Sequence, residues 1–265
     1  MMTEAAPSGA CLRGTQVHKR FDDDMIAIDT VDLDIAAGQF VALVGPSGCG
    51  KSTLLRLLAG LTTVTSGELT VDGLTPRQAR AKERRLAYVL QDPTLLRWRR
   101  VRDNVALPLE LRHLPTTEVQ QRVETALQWV GLEDVGQMYP QQLSGGMRMR
   151  VSIARALAAE PSLLLMDEPF GALDEITRQR LNDELLELWQ KRGFTCLFVT
   201  HSVHEAAYLS QQVMIMGPRP GRITAVHQVP FAHPRSADLR TSPAFAGFVR
   251  QLSADLTQAM AAEHA

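Results

Sequence analysis

The run Gly45-Pro46-Ser47-Gly48-Cys49-Gly50-Lys51-Ser52 constrains this chain more than any other stretch. It fits the pattern G-x-x-x-x-G-K-[ST]. It stands between the apolar run Phe40–Val44 and a helical pattern that opens at Lys51. An unbroken apolar run of this kind suits a parallel strand covered on both faces. Glycines let the loop turn successive N–H groups toward one anion, and the following helix adds the positive end of its dipole. In such a loop Lys51 reaches the β- and γ-phosphates of a nucleotide, and the Ser52 hydroxyl sits on Mg2+. Cys49 reads as a small loop filler, placed where alkylation would reach it.

Strand-like runs recur at Leu86–Leu90, Leu163–Met166, Thr195–Val199 and Val213–Met216, with helical segments between the later ones. Ile176, Leu181, Leu185 and Leu188 recur at helical spacing; Lys191 and Arg192 fall in the last turn, and Gly193 supplies the stop. The alternation predicts an α/β fold with a mainly parallel sheet. Residues 92–154 read differently, as a helical insertion. There Val119, Val123, Leu127 and Val130 form one apolar face, opened by a Thr117–Gln120 capping pair and closed by Gly131. Residues 229–265 carry Pro230, Pro234 and Pro243 and then a weak helix, and read as an appended tail. The predicted division is therefore a discontinuous core of 1–91 and 155–228, the insertion, and the tail.

The strand Leu163–Met166 runs directly into Asp167 and Glu168. In a parallel sheet, ligands bind beyond the carboxyl ends of the strands, where the phosphate loop also lies. Asp167 is then placed to hold the Mg2+ shell, and Glu168 to orient and deprotonate an attacking water.

Composition removes several alternatives. At 265 residues, 45% hydrophobic and 22% charged, the chain is neither disordered, collagenous nor coiled coil. Its 28 basic against 29 acidic residues leave a net charge of −1, so there is no basic field to attract nucleic acid. Cys11, Cys49 and Cys196 are widely spaced and odd in number, which argues against a disulfide or zinc framework. No apolar run approaches the roughly 18 residues that span a bilayer. The stretch MMTEAAPSGA lacks the basic-then-apolar pattern of a leader, so a cytoplasmic protein is expected.

Leu143-Ser144-Gly145-Gly146 precedes a helix expected from about Met147, a second array of backbone donors at a helix N-terminus. The order GPSGCGKS, Gln91, LSGG, LLLMDEP and a later His201 resembles the ATP-binding cassette (ABC) ATPases over essentially the whole chain. The resemblance implies a P-loop NTPase core of RecA type, with a small N-terminal antiparallel β portion and an inserted α-helical subdomain. It implies ATP and Mg2+ as cofactors. Gly45 to Ser52 and Thr53 would hold the nucleotide, with Phe21 against the adenine. Gln91 would touch Mg2+ and the attacking water. Ser144, Gly145 and Gly146 would bind the γ-phosphate of ATP held by a second copy, and Asp174 of Gly171-Ala172-Leu173-Asp174 would cross the dimer interface. His201 would contact the γ-phosphate, beside Glu168 as the base.

Two positions depart from the family. Met149 stands where members often have Gln, with altered dimer or partner contacts as the expected effect. Ser202 stands where many have Asp, and it can still cap the next helix with Glu205. His204 reads as a solvated neighbour of His201. Locally, VLQDPTLLRW, VRDNVALPLE, EPFGALDEITR, GPRPGRI and the tail are similar to the nitrate, sulfonate and taurine importer branch, some of whose members take up thiamine-precursor pyrimidines. The implied protein is a homodimeric ATPase on the inner face of the membrane. It would power separate permease subunits and act only indirectly with a solute-binding protein. Leu95, Leu96 and Trp98 read as a docking surface in the loop before the insertion, with inward packing of the two leucines as the alternative. Arg97 replaces the branch's usual Pro there. The alternative is a soluble cassette ATPase serving cofactor assembly. A P-loop kinase would leave LSGG and His201 without a role.

Overall fold

The computed structural model describes residues 9–22, 24–82 and 86–261. The N-terminal stretch read above for a leader falls outside the described residues except for its last two positions, as do the final four residues of the predicted tail. In chain order the strands are β1 (Leu12–Arg20), β2 (Ile26–Ile35), β3 (Phe40–Val44), β4 (Ser66–Val71), β5 (Leu86–Val89), β6 (Leu163–Asp167), β7 (Thr195–Thr200), β8 (Gln212–Met216) and β9 (Ile223–Gln228). The helices are α1 (Lys51–Leu58), α2 (Pro76–Lys82), α3 (Val101–Glu110), α4 (Thr116–Trp129), α5 (Gly145–Ala158), α6 (Glu175–Arg192), α7 (Val203–Leu209) and α8 (Pro243–Ala261).

Two sheets result. One is antiparallel in the order β2-β1-β4, the other runs β5-β6-β7-β3-β8-β9 and is parallel except for β9. The inner parallel strands β3, β6, β7 and β8 are buried on both faces, and their side-chain alternation splits them between two cores. Phe40, Ala42 and Val44 of β3, with Leu164 and Met166 of β6, pack against the helices. Val41 and Leu43, with Leu163 and Leu165, pack against α1 and the antiparallel sheet. This layered arrangement places the exits of β3 and β6 side by side across β7, which is why the phosphate loop and Asp167 meet.

Among the described residues no strand falls in 92–154. The buried side chains of α3, α4 and α5 are continuous with the helix-side core of the sheet. The first N–H groups of α3 have no side-chain cap; Val101 and Arg102 donate to the carbonyls of Met138 and Gly136 at 2.8 and 3.0 Å.

Three local expectations are corrected. Thr117 and Gln120 do not cap α4, because the helix begins at Thr116 with Pro115 as its N-cap, two residues before Thr117, and Thr117 falls inside the first turn. Helix α5 opens at Gly145 rather than Met147, with the Ser144 hydroxyl accepting from Met147 N–H at 3.2 Å. Within α6, Ile176 keeps the expected helical spacing and is 83% exposed; the buried positions of that helix begin at Leu181. The C-terminal segment is not merely appended: Phe245, Phe248, Val249 and Leu252 of α8 join the helix-side core. Burying such side chains contributes about 1.5–3 kcal/mol each, so α8 is an integral layer.

Candidate functional site

The phosphate loop is shaped by its backbone. Gly50 has φ 113°, and a Cβ there would lie 2.6 Å from the Ala27 carbonyl, so only glycine fits this turn into α1. Lys51 is 5% exposed. Its ammonium donates to the carbonyls of Gly45 and Pro46, both at 2.8 Å, and stands 3.9 Å from Glu168 Oε1. The loop thus folds back on its own cation and leaves a glycine-walled cradle in front of it. A cavity of about 330 Å³ opens there, lined by Ser47, Gly48, Gly50, Lys51, Ser52, Thr53, Gln91 and Glu168. Cys49 is 1% exposed and burial pushes its thiol up, which disfavours the thiolate that alkylation needs and corrects the expectation of reactivity.

Asp167 stands behind Ser52. The Ser52 hydroxyl donates to Asp167 Oδ1 at 3.0 Å, and the Tyr88 phenol donates to Oδ2 at 3.0 Å. Burial, and next the Asp167 charge, push the Tyr88 phenol well up, so it remains a donor. Glu168 takes φ 47°, an uncommon conformation for a non-glycine residue, with its N–H donating to the Val199 carbonyl at 3.0 Å. That twist turns its carboxylate into the cavity. His201 Nδ1 lies 3.5 Å from Glu168 Oε2. The oxygens at hand are the Ser52 hydroxyl and the Gln91 amide on the cavity wall, with the Asp167 carboxylate, 8% exposed and outside the lining, directly behind Ser52. Such a set fits Mg2+, which takes one or two carboxylates and fills its octahedron with phosphate and water.

Not every predicted site residue reaches this cavity. Ser144, Gly145 and Gly146 lie elsewhere: Gly145 lines a separate cavity of about 570 Å³ with Gln91, Arg97, Ala172 and Leu173. Asp174 caps α6, accepting from Thr177 N–H at 3.0 Å, and that hydrogen bond holds its carboxyl below the usual range. Phe21 is absent from the cavity lining; Lys19 lies over its ring at 4.9 Å. Met149 is 4% exposed and belongs to the core, so its main contacts are internal. Ser202 does cap α7, accepting from Glu205 N–H at 3.3 Å, but the box is not reciprocal because the Glu205 carboxylate takes the Thr200 hydroxyl instead. His204 is exposed, and no cluster of three metal-binding side chains occurs among the described residues.

Two residues were missed. Arg219, in the loop after β8, lines the phosphate-loop cavity and donates to the Gly48 carbonyl at 3.1 and 3.3 Å. Its signal was an arginine just past the carboxyl end of a parallel strand. Tyr88 had no comparable signal, since only strand register brings it to Asp167.

The family model described as ABC transporter matches residues 28–171. The taurine import ATP-binding protein TauB of Rhizobium johnstonii is 42% identical over 243 residues, 89% of this chain and 91% of its own. The aliphatic sulfonates import ATP-binding protein SsuB of Cupriavidus necator is 45% identical over 227 residues, 86% of this chain and 72% of its own. An ATP-binding cassette solved as a dimer in a post-hydrolysis state with ADP and Pi superposes with TM-score 0.74 at 30% identity, covering 83% of this chain and all of that one. A match over more than half the chain, with relatives aligned along most of their own length, leaves one assignment: this chain belongs to the ABC transporter family.

Proposed function

We propose that this chain is the ATP-hydrolysing subunit of an importer for small sulfonates such as taurine, or for a solute of the related nitrate or pyrimidine type. The observation that carries the reading is a separation. Lys51, Ser52 and Glu168 face one cavity, while Gly145 of the Ser144–Gly146 segment lines another on the same chain, and Gln91 borders both. Two copies arranged face to face give each phosphate loop a partner array, and ATP then joins the copies. The dimeric cassette with ADP and Pi supports this arrangement.

The residues divide the work. Lys51 and the loop N–H groups bind and orient the triphosphate. Bound Mg2+ supplies neutralisation of the β- and γ-phosphate oxygens. Ser52 and Asp167 are the side chains that would hold it, with Gln91 at the edge. Glu168 accepts the proton of the attacking water at its carboxylate, and His201, 3.5 Å away, holds that carboxylate in place. Hydrolysis removes the γ-phosphate that joins the copies, and the dimer reopens.

A permease docks on the helical side. A groove of about 550 Å³ runs between β5, α3 and α5, lined by Tyr88, Leu107, Pro108, Leu111, Arg155 and Ala156. Leu111 is 65% and Trp98 75% exposed. Arg155 ties groove to loop, donating to the carbonyls of Pro93 and Thr94 at 2.9 and 3.1 Å. Among the described residues no helix is long and apolar enough to cross a membrane. Docked on that permease, the chain would sit at the inner membrane face.

The test is uptake into membrane vesicles reconstituted with the neighbouring permease and binding protein, using taurine, sulfonates, nitrate and pyrimidines. ATP-dependent accumulation of one of them is expected. Glu168→Gln should abolish it and slow hydrolysis roughly 10²–10⁴-fold, the usual worth of a general base, while ATP binding persists. Hydrolysis without uptake or permease association would favour a cassette uncoupled from transport. Normal turnover by Glu168→Gln would sink the base assignment.

A further inference from the structure

The register of the sheet places Tyr88 where no motif requires it. In β5, Tyr88 pairs with Leu165 of β6, and Asp167 lies two residues further along β6 on the same face. That face carries Leu163 and Leu165 toward α1, the helix that bears Ser52. The phenol therefore meets the Asp167 carboxylate from one side while the Ser52 hydroxyl meets it from the other, each at 3.0 Å and each on a different oxygen. With both oxygens engaged, rotation of the carboxylate breaks at least one hydrogen bond. β5 is also the edge strand of the parallel sheet, so Tyr88 is reachable from outside and lines the groove beside α3 and α5.

From this geometry we propose that Tyr88 is a positioning residue for Asp167, fixing the metal-side carboxylate through its hydroxyl and linking that carboxylate to the groove. The inference rests on the reading above that Asp167 faces Mg2+. A side chain that orients a metal-facing carboxylate acts on metal affinity without touching nucleotide or metal itself. Loss of such an outer partner weakens metal binding roughly 10–100-fold, and a single neutral hydroxyl belongs at the low end.

The experiment uses the full chain and two variants, Tyr88→Phe and Asp167→Asn. Binding of a fluorescent ATP analogue is measured in EDTA and again along a Mg2+ titration, with melting temperature recorded for each protein. Tyr88→Phe keeps the ring. It should bind the analogue in EDTA as the parent does and melt within a few degrees of it, with the Mg2+ midpoint raised roughly tenfold. If Asp167→Asn shifts the midpoint and Tyr88→Phe does not, Tyr88 has no positioning role. Equal weakening of Tyr88→Phe with and without Mg2+ would mark a purely structural contact and overturn the proposal. If Asp167→Asn leaves the midpoint unmoved, the metal-side reading of Asp167 fails and this inference fails with it.

Discussion

Asn104 offers a sharp test of how the loop proposed to meet a permease is held. It is fully buried on α3, and its side chain reaches into the loop that carries Arg97 and Trp98. Its Oδ1 accepts from Leu96 N–H at 2.8 Å, and its amide donates to the carbonyls of Leu96, Arg99 and Arg100, each at 3.1 Å. Replacement by leucine keeps the volume and removes every one of these. The losses are unequal. The Leu96 and Arg100 carbonyls each retain a backbone partner, Arg99 N–H and Asn104 N–H respectively. The Leu96 N–H and the Arg99 carbonyl keep none among the described residues. A polar group stripped of its partner costs about 1–3 kcal/mol when buried, and these two are part-buried, so together they place the loss near the low end, about 2–3 kcal/mol. At roughly 2–4 °C per kcal/mol for a domain of this size, the melting temperature of Asn104→Leu should fall by ~4–12 °C. Permease-stimulated hydrolysis should fall further than basal hydrolysis, because the phosphate loop is anchored elsewhere. A melting temperature within about 2 °C of the parent would refute the reasoning, since it would mean water reaches these groups and Asn104 holds nothing.

Two further outcomes are expected. Arg235 donates to the carbonyls of Ala207 (3.1 Å), Ser210 (2.9 Å) and Phe231 (2.7 Å), closing the open end of α7, the helix that follows His201. Burial draws its guanidinium down to about 10, a desolvation that offsets part of these bonds. Arg235→Ala should therefore cost only about 2–3 kcal/mol, read by thermal melting, with hydrolysis lowered through displacement of α7. His233, beside Trp189, is drawn down to about 4, chiefly by burial and then by the Arg235 charge. The unfolded chain then binds an extra proton between about pH 4 and 6.5, so stability falls as pH drops through that window. His233→Gln should flatten the slope of melting temperature against pH there, and an unchanged slope would show that His233 does not drive it.

What the sequence could and could not disclose follows from where each contact originates. The phosphate loop, the Asp167-Glu168 pair and the fold class were legible because each is a local pattern whose residue types the chemistry dictates. Glycines must allow close backbone approach, a lysine must reach phosphate, and carboxylates must stand where a strand ends. The buried strands were legible for a similar reason, since a run apolar on both faces has few other uses. Contacts made by sheet register or by a returning loop carry no such local mark. Tyr88 reaches Asp167 only because β5 pairs with β6 in one particular alignment, and Arg219 reaches Gly48 only because the chain returns after β8. Periodicity also says which residues share a face, not whether anything covers it. Ile176 keeps the helical spacing of Leu181 and Leu185 and is exposed all the same, while α8 follows a proline-rich stretch and is buried. Ile176 lies beside Asp174 at the segment the family resemblance places across a dimer interface. A second copy covering it would account for its exposure in one chain, in keeping with the face-to-face dimer proposed from Gly145 and the phosphate loop.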